Sequence, residues 1–394
     1  MAAQPFTDSM VQPAYSFRTT DLAVGYRGKA LIEEICVDVL PGTVLALIGP
    51  NGAGKSTILK TIAKYLATIA GTIYIDGHSI VDLSNKDLAR QVAVVLTDRL
   101  KAELMTCEDI VATGRYPHTG HFGILSQTDR RIVKRSMKLL HAWELRHQDF
   151  REVSDGQRQR ILIARALAQE PRIIVLDEPT AYLDVRYKLE LLTILRQMAK
   201  ESDITVIMSL HELDMAQKVA DFVMCVKGDR IAHFGTPQEL FVNGQMDTIF
   251  ELEHGTYDPL FGSLEFSPTP GKPQVFVIAG DGTGVPTYRI LQQRGIPFAT
   301  GILHRNDVDY HVGVRLTSTV FAEDSFEPIS TNVYSQALDC LQQCRVVVDC
   351  LTSHGSGNIM NRTLVDEAQR LNIPVSRDVL DVVEMLAQER RRTT

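Results

Sequence analysis

The residues with the clearest chemical meaning run from position 49 to 57 and read GPNGAGKST. They fit the pattern G-x-x-x-x-G-K-[ST], in which a glycine-rich turn directs successive backbone N–H groups at phosphate oxygens. The pattern predicts that Lys55 reaches the β- and γ-phosphates of a nucleoside triphosphate and that the Ser56 hydroxyl ligates Mg²⁺. The residues predicted to contact the nucleotide in this loop are Gly49, Asn51, Gly52, Ala53, Gly54, Lys55, Ser56 and Thr57.

Two carboxylates form a second candidate element. Asp177 and Glu178 directly follow the apolar run at 173–176, which predicts a short buried strand. Ligand sites in α/β sheets collect at the carboxyl ends of such strands. We therefore expect Asp177 to hold Mg²⁺ and Glu178 to act as the general base that polarises the attacking water.

A polar turn before a helical stretch gives a third element. Residues 153–157 read VSDGQ and precede a run of helix-forming residues. A helix that begins there has free N–H groups beside the Ser154 hydroxyl, and together these make another anion site. One chain does not need two γ-phosphate cradles. Two copies arranged head to tail do, with each nucleotide clamped between the loop of one copy and the serine turn of the other, so we expect a homodimer.

Apolar periodicity predicts the elements that position these groups. A buried strand is predicted at 44–48, directly before the phosphate loop, and a helix at 58–65 directly after it. Residues 100–152 lie between the phosphate loop and the turn at 153–157, and they have a helical apolar period at 130–145. They are therefore predicted to be an inserted helical part.

The tail of the chain predicts a separate small domain. After a stretch rich in Gly, Pro, Ser and Thr, apolar runs at 274–279 and 345–349 alternate with helical stretches at 287–293 and 364–371, which predicts a parallel α/β sheet. Polar turns at 280–284, 306–309 and 355–358 follow predicted strands. These turns either bind a small anionic ligand together or use glycine only for backbone freedom.

The composition limits the classes of function. The chain has 394 residues, 44% of them hydrophobic, and a net charge of −7 at pH 7, which is a poor match for a nucleic-acid partner. No apolar stretch approaches the ~20 residues that span a bilayer. The first residues also lack the pattern of a secretory signal. We therefore expect a cytoplasmic protein whose membrane role, if it has one, comes through a partner.

With its motifs in this order, the chain resembles the ATP-binding-cassette family over about residues 17–250. The resemblance rests on the phosphate loop, VSDGQ, RIIVLDEPT, the AYLD at 181–184 and the histidine in VIMSLHEL. It implies a P-loop NTPase fold of the α/β class with an inserted helical subdomain, which binds ATP and Mg²⁺ and hydrolyses ATP. The site residues it implies are Tyr26 on the adenine ring, Ser154, Gly156 and Gln157 in the signature turn, Asp184 between the two sites, and His211 as the γ-phosphate sensor.

Two positions depart from the family pattern. The signature usually reads LSGGQ, so Asp155 replaces a glycine close to phosphate, and its side chain either faces away or repels the nucleotide. The family also usually has a glutamine where Thr97 stands. Either Thr97 or Asp98 would then take the contact with Mg²⁺.

The string GRYPH at 114–118 resembles the contact region of ATPases that drive uptake of iron-siderophores, haem and cobalamin. It implies a peripheral ATPase on the inner face of the cell membrane, held there by permease subunits and linked through them to a substrate-binding protein. The alternative is a soluble cassette ATPase that acts on a macromolecule. Such proteins often carry two cassettes or long coiled coils, whereas this sequence has one phosphate loop and no heptads.

These observations predict three segments. Residues 1–254 form the cassette, with its helical subdomain at about 100–155. Residues 255–272 form a linker, and residues 273–394 form a small C-terminal parallel α/β domain. The tail resembles extensions found on some cobalamin-type importer ATPases. It is either a regulatory domain that senses a ligand or a support for the dimer.

Overall fold

The computed structural model describes residues 15–96, 104–119, 123–242, 246–259, 261–351 and 359–393. Contacts within the chain separate two compact units, Met1–Phe250 and Glu251–Thr394. Each unit has its own sheets and its own hydrophobic core.

The N-terminal unit contains ten strands and nine helices among its described residues. Its strands are β1 Phe17–Tyr26, β2 Lys29–Val39, β3 Val44–Ile48, β4 Ala70–Ile75, β5 His78–Ser79, β6 Val92–Val95, β7 Ile173–Leu176, β8 Thr205–Ser209, β9 Phe222–Lys227 and β10 Arg230–Gly235. Its helices are α1 Lys55–Ile62, α2 Asn85–Gln91, α3 Cys107–Ala112, α4 Gln127–Leu139, α5 Asp155–Ala168, α6 Val185–Ser202, α7 Leu213–Val219, α8 Pro237–Val242 and α9 Met246–Phe250. Short 3₁₀ turns lie at Thr113–Arg115 and Trp143–Leu145.

Two sheets form the core of this unit. The larger has the order β10-β9-β3-β8-β7-β6, and its strands run parallel except at the β10 edge. The smaller is antiparallel, with the order β2-β1-β4-β5. Strands β3, β7 and β8 are buried at every position, as expected for parallel strands covered on both faces. This arrangement confirms the predicted strands at 44–48 and 173–176.

The helix after the phosphate loop begins earlier than predicted. It covers Lys55–Ile62 rather than 58–65, because Gly54 adopts a left-handed conformation (φ 97°) and serves as the N-cap. The chain leaves the helix at Ala63, and Lys64 has a positive φ of 59°. The predicted helical part is present as α3, α4 and the 3₁₀ turns, and α4 accounts for the apolar period at 130–145.

The C-terminal unit is an open parallel sheet with helices on both faces. Its strands are β11 Gly255–Asp258, β12 Ser263–Phe266, β13 Val275–Ile278, β14 Phe298–His304, β15 Thr319–Glu323, β16 Val346–Asp349 and β17 Val375–Ser376. Its helices are α10 Val285–Gln293, α11 Val308–Leu316, α12 Thr331–Gln343, α13 Ile359–Arg370 and α14 Val379–Thr393. The parallel sheet has the order β15-β14-β13-β16-β17, which confirms the predicted α/β class of the tail. Helices α10, α11 and α14 pack on one face of this sheet, and α12 and α13 pack on the other.

The segment 255–272 is not the linker that was predicted. Strands β11 and β12 form an antiparallel hairpin within it. The hairpin is tied to the C-terminal unit, because Arg289 of α10 forms an ion pair with Glu265 (2.9 Å) and Arg315 of α11 donates to the Thr256 hydroxyl (2.7 Å). Its Gly, Ser and Pro residues suggested an irregular crossing, but the paired backbones form a short sheet.

Candidate functional site

The phosphate loop lies between β3 and α1 and presents an uncapped helix end. Gly49, Gly52 and Gly54 all have positive φ angles (147°, 80° and 97°), which residues other than glycine rarely adopt. No side chain caps the start of α1, and its first turn has no acidic residue. The N–H groups at the positive end of this helix are therefore suited to an anion.

Lys55 is held inside this loop. Its side chain is 6% exposed, and its Nζ donates to the carbonyl oxygens of Gly49 (2.8 Å) and Pro50 (3.0 Å). Burial lowers the pKa of the Lys55 ammonium, while the nearby carboxylates of Glu178 and Asp177 act in the opposite direction. The structure thus brings the loop and the two acidic residues into one cluster, as the sequence predicts.

Ser209 connects the two acidic residues and was missed by the sequence analysis. Its hydroxyl donates to Oδ1 of Asp177 (2.7 Å) and accepts from the backbone N–H of Glu178 (2.8 Å). Ser209 is fully buried at the end of β8, and Asp177 is 2% exposed at the end of β7. The signal was present in the sequence, since a small polar residue ends the apolar run of β8 two positions before His211.

His211 and Glu178 contact each other directly. The Nε2 atom of His211 lies 2.7 Å from Oε1 of Glu178, and both side chains are partly exposed. Glu178 has a positive φ of 50°, a left-handed conformation that is uncommon for a residue with a side chain. The adjacent Glu212 accepts from the Thr180 hydroxyl (3.1 Å) and pairs with Lys188 of α6 (2.5 Å), so the histidine loop is anchored to the segment after Glu178.

Tyr26 lies at the end of β1, next to the phosphate-loop helix. Its hydroxyl is 3.1 Å from the Thr57 hydroxyl, and 49% of the residue is exposed. An aromatic ring in this position is accessible to a planar ligand.

The signature turn at 153–157 forms a second group of candidate site residues. Its Ser154 and Gln157 are hydrogen-bonded to each other at the start of α5. Ser154 is the N-cap of α5 and accepts from the Gln157 N–H (3.3 Å), while Gln157 Oε1 accepts from the Ser154 N–H (2.9 Å). This is a capping box. The Ser154 hydroxyl still has its own proton to donate to an oxygen ligand. The side-chain carbonyl of Gln157, by contrast, is used by the cap.

Asp155 pairs with an arginine of its own helix. Its Oδ1 accepts from Nη1 of Arg158 at 2.5 Å, in the (i, i+3) relationship. The pair neutralises the carboxylate that replaces the usual glycine. Gly156 packs on the following loop, since a Cβ added there would lie 3.2 Å from the Tyr182 carbonyl oxygen. Asp184 in that loop caps α6 by accepting from the Tyr187 N–H (3.0 Å).

Hard oxygen ligands for a divalent cation are available near the loop. Mg²⁺ prefers carboxylate and hydroxyl oxygens, and the Asp177 carboxylate and the Ser56 hydroxyl at the first turn of α1 have this chemistry. Among the described residues, no group of three or more His, Cys, Asp or Glu side chains forms a metal site by itself. Thr97 and Asp98, the other two candidates, lie outside the described residues.

The glycine turn of the C-terminal unit is filled by carboxylates of the same chain. The Gly284 N–H donates to Oδ1 of Asp309 (3.0 Å), and the Asp281 N–H donates to Oδ2 of Asp307 (3.1 Å). The turns at 280–284 and 306–309 therefore lie next to each other. The suggestion that they bind an anion is not supported, because acidic side chains already occupy these N–H donors. The turn at 355–358 lies outside the described residues.

Comparison with known proteins gives matches to both units. A family model described as ABC transporter matches residues 32–181, and one described as the MJ0874 family matches residues 298–390. The uncharacterized ABC transporter ATP-binding protein MJ0873 of Methanocaldococcus jannaschii is 40% identical over 287 residues, which are 73% of this chain and 99% of that protein. The iron(3+)-hydroxamate import ATP-binding protein FhuC of Bacillus subtilis is 34% identical over 60% of this chain and 88% of its own length.

A cobalamin relative and a solved structure agree with these matches. The cobalamin import ATP-binding protein BtuD of Halobacterium salinarum is 31% identical over 305 residues, 75% of this chain and 76% of that protein. A putative metal-chelate type ABC transporter in an inward-facing conformation matches with a TM-score of 0.53 and 25% identity, over 60% of this chain and 89% of that chain. No helix in the described part of the chain is long and apolar enough to cross a membrane.

Proposed function

Because the chain belongs to the ATP-binding proteins of ABC transporters, we propose that it is the ATP-hydrolysing subunit of a membrane importer for iron-siderophore, haem or cobalamin-type substrates. The observation that carries the proposal is the cluster formed by the uncapped start of α1, Lys55, Asp177, Glu178 and His211. Two relatives that this chain matches over most of their length are named import ATP-binding proteins, one for iron(3+)-hydroxamate and one for cobalamin. Those names give no support to the alternative of a soluble cassette ATPase that acts on a macromolecule.

Each member of the cluster has a role in this proposal. Lys55 and the backbone N–H groups of the loop bind the phosphates, and Tyr26 stacks on the adenine. Ser56 and Asp177 hold Mg²⁺, which neutralises charge on the phosphate oxygens when bound. Glu178 accepts a proton from the attacking water, and His211, hydrogen-bonded to it, orients the γ-phosphate.

A homodimer supplies the second half of the site in this proposal. The Ser154 turn and the phosphate loop form separate groups in one copy, each with its own local hydrogen bonds. We propose that Ser154 and Gly156 contact the nucleotide held by the other copy, and that Asp184 couples the two sites. The side chain of Gln157 caps α5, so its contribution would be to hold the turn in shape.

The partners in this proposal are the permease subunits, with a substrate-binding protein reached through them. The chain would then act on the inner face of the cell membrane without inserting into it. At the string 114–118, Tyr116 and His118 are exposed and available to such a partner, whereas Gly114 and Arg115 are buried.

We propose that the two units keep different tasks, with residues 1–254 as the motor and the C-terminal sheet domain as a regulatory domain or a support for the dimer. The support is that residues 298–390 match a family model of their own and that the chain's contacts separate the units.

The test combines ATPase and partner assays on the full chain. Purified protein should hydrolyse ATP in a Mg²⁺-dependent way, and Lys55→Ala should abolish nucleotide binding or turnover, because it removes the buried ammonium. Lys60→Ala, on the same helix, is the matched control. Co-expression with the permease subunits of an importer from the same organism should give a membrane complex that takes up a metal chelate or corrinoid. An active ATPase that binds no permease but is stimulated by a macromolecule would contradict the importer proposal.

A further inference from the structure

The string 114–118, which was predicted to contact a partner, begins with two buried residues, Gly114 and Arg115. Gly114 packs against the backbone of α5, since a Cβ added there would lie 2.2 Å from the Arg165 carbonyl oxygen. Arg115, at the end of the 3₁₀ turn, is only 5% exposed. A buried arginine must be paired, because an unpaired charge in a protein interior is very costly.

Arg115 makes three charge-assisted contacts that converge on two helices. Its Nε donates to Oδ1 of Asp129 (2.8 Å), near the start of α4. Its Nη1 donates to the carbonyl oxygen of Ala168 (2.8 Å), the last residue of α5, and to Oε2 of Glu170 (2.9 Å). A guanidinium at the carboxyl end of a helix also interacts favourably with the helix dipole. Arg115 therefore fixes the end of α5 to the start of α4.

The neighbours of Arg115 connect the same helix end to the core sheet. The Pro117 carbonyl accepts from Nε of Arg90 in α2 (3.0 Å), and His118 Nε2 lies 2.8 Å from the Gln169 carbonyl oxygen. The Gln169 side chain donates to the carbonyl oxygens of Ala89 and Val92. Residues 114–118 thus bridge the helical part and the core, at the point where α5 gives way to the strand β7 that leads to Asp177.

We propose that Arg115 is a positioning residue that sets the orientation of α5, and with it the Ser154 hydroxyl, relative to the core sheet. Helix α5 begins at the signature turn and ends at the contacts of Arg115, so the guanidinium controls the far end of the helix whose near end contacts nucleotide. The inference rests on the proposed nucleotide sandwich, because Ser154 acts there on the other copy's nucleotide.

A merely structural role for this ion-pair group predicts a different result from a positioning role. The groups proposed to bind nucleotide within one copy lie at the end of β1, on the phosphate loop and the first turn of α1, and directly after β7 and β8. The hydrogen bonds of Arg115 go to other residues. A positioning role therefore predicts a loss of turnover with ADP affinity retained, since ADP needs only the core. General destabilisation predicts that ADP affinity and turnover fall together.

The experiment compares full-length Arg115→Met, Arg115→Lys and a control, Arg135→Met, which removes an exposed arginine from α4. We expect Arg115→Met to keep ADP affinity within about twofold and to lose about tenfold in kcat. Arg115→Lys keeps the positive charge but not the planar guanidinium with its several N–H donors, so its kcat should lie between those of wild type and Arg115→Met. If Arg115→Met does not fold, Arg115→Lys distinguishes a positioning role from a structural one. Arg135→Met should match wild type.

A second arm measures ATP-driven dimerisation in the Glu178→Gln background. We expect Arg115→Met to weaken dimerisation about tenfold relative to the parent. Unchanged kcat, or a parallel loss of ADP affinity and kcat, would overturn the inference. If the Glu178→Gln parent itself does not dimerise with ATP, the sandwich is wrong, and the kcat and ADP measurements still decide the role of Arg115.

Discussion

The Nε2 atom of His211 and the Oε1 atom of Glu178 are 2.7 Å apart, so the proposed phosphate sensor and the proposed general base share a hydrogen bond. The bond joins the loop after β8 to the end of β7. A carboxylate in this position keeps the imidazole oriented, and a positioned imidazole can in turn stabilise charge.

Glu178→Gln should stop turnover while nucleotide binding is preserved. The amide has the shape of the carboxylate and can keep a hydrogen bond to His211, but it cannot accept the proton of the attacking water. We expect kcat to fall by about a hundredfold or more with ATP affinity within about threefold of wild type. Single-turnover hydrolysis and equilibrium binding would measure the two quantities, and a near-normal rate would exclude Glu178 as the base.

Ser209→Ala should weaken the response to Mg²⁺. The substitution removes the hydroxyl that the partly buried Glu178 N–H and Oδ1 of Asp177 share, at a cost of about 1–3 kcal/mol. We expect a severalfold lower kcat and a higher Mg²⁺ concentration for half-maximal activity. Ser16→Ala is the matched control, since its hydroxyl bonds Thr205 at the opposite end of β8. Equal effects of the two substitutions would refute the specific role of Ser209.

Asp155→Gly should have little effect on ATP-driven dimerisation. The Asp155 carboxylate is paired with Arg158 on its own helix, so little repulsion of phosphate remains to be relieved. We expect the dimerisation constant, measured by sedimentation in the Glu178→Gln background, to change by less than about threefold, in line with a surface pair. Asp155→Asn serves as a second variant. A gain of an order of magnitude in both would mean that the native aspartate restrains the dimer.

Asp129→Asn should destabilise the N-terminal unit in a pH-dependent way. Hydrogen bonds from Ser126, together with the Arg115 guanidinium, lower the pKa of Asp129 to about 2. Because its folded pKa lies below the unfolded value, the carboxylate stabilises the fold above pH ~4 and loses this effect as pH falls towards 2. We expect a difference in unfolding free energy of up to about 2 kcal/mol at pH 5, and about half of it at pH 3.

Urea unfolding followed by the emission of Trp143 measures this difference, because it is the only tryptophan of the chain and lies close in sequence to α4. Asp87→Asn, in the exposed cap of α2 with Ser84, is the control. A difference in unfolding free energy between wild type and Asp129→Asn that stays constant from pH 5 to pH 3 would contradict the lowered pKa of Asp129.

Asp309→Asn should remove a pH dependence from the C-terminal unit. Burial and the neighbouring Asp307 carboxylate raise the pKa of Asp309 to about 6. Because the folded pKa lies above the unfolded value, the charged form costs stability above pH ~6, and this cost disappears as pH falls towards 4. The amide oxygen can still accept from Gly284. Calorimetry should show a larger difference in melting temperature between variant and wild type at pH 7.5 than at pH 5. Asp378→Asn, at an exposed position, is the control, and its difference from wild type should be the same at both pH values.

Local patterns in the sequence predicted much of the site. The phosphate loop needs glycines, a lysine and a flanking strand and helix in fixed order, and the acidic pair needs only the strand before it. These features are contiguous, so the sequence alone places Lys55 at the start of the helix after β3 and Glu178 directly after β7, where the structure has them. Their proposed chemical roles stay predictions.

Features built from distant residues were not predictable in the same way. Arg115 follows a glycine and lies two positions before Pro117, a pattern typical of a surface loop, yet its partners lie 14, 53 and 55 positions away. The glycines at 280–284 have the composition of an anion-binding turn, but the carboxylate that fills it lies on α11. Only the fold brings these partners together.

In the role proposed for Arg115, helix α5 acts as a lever that is held near its carboxyl end. Its fourteen residues span about 21 Å at a rise of 1.5 Å each. A tilt of about 10° at the pivot would displace the signature serine by about 4 Å, longer than a hydrogen bond. The angular tolerance for keeping that serine within about 1 Å of its place is therefore only about 3°, and small sequence changes near the pivot are amplified at the nucleotide.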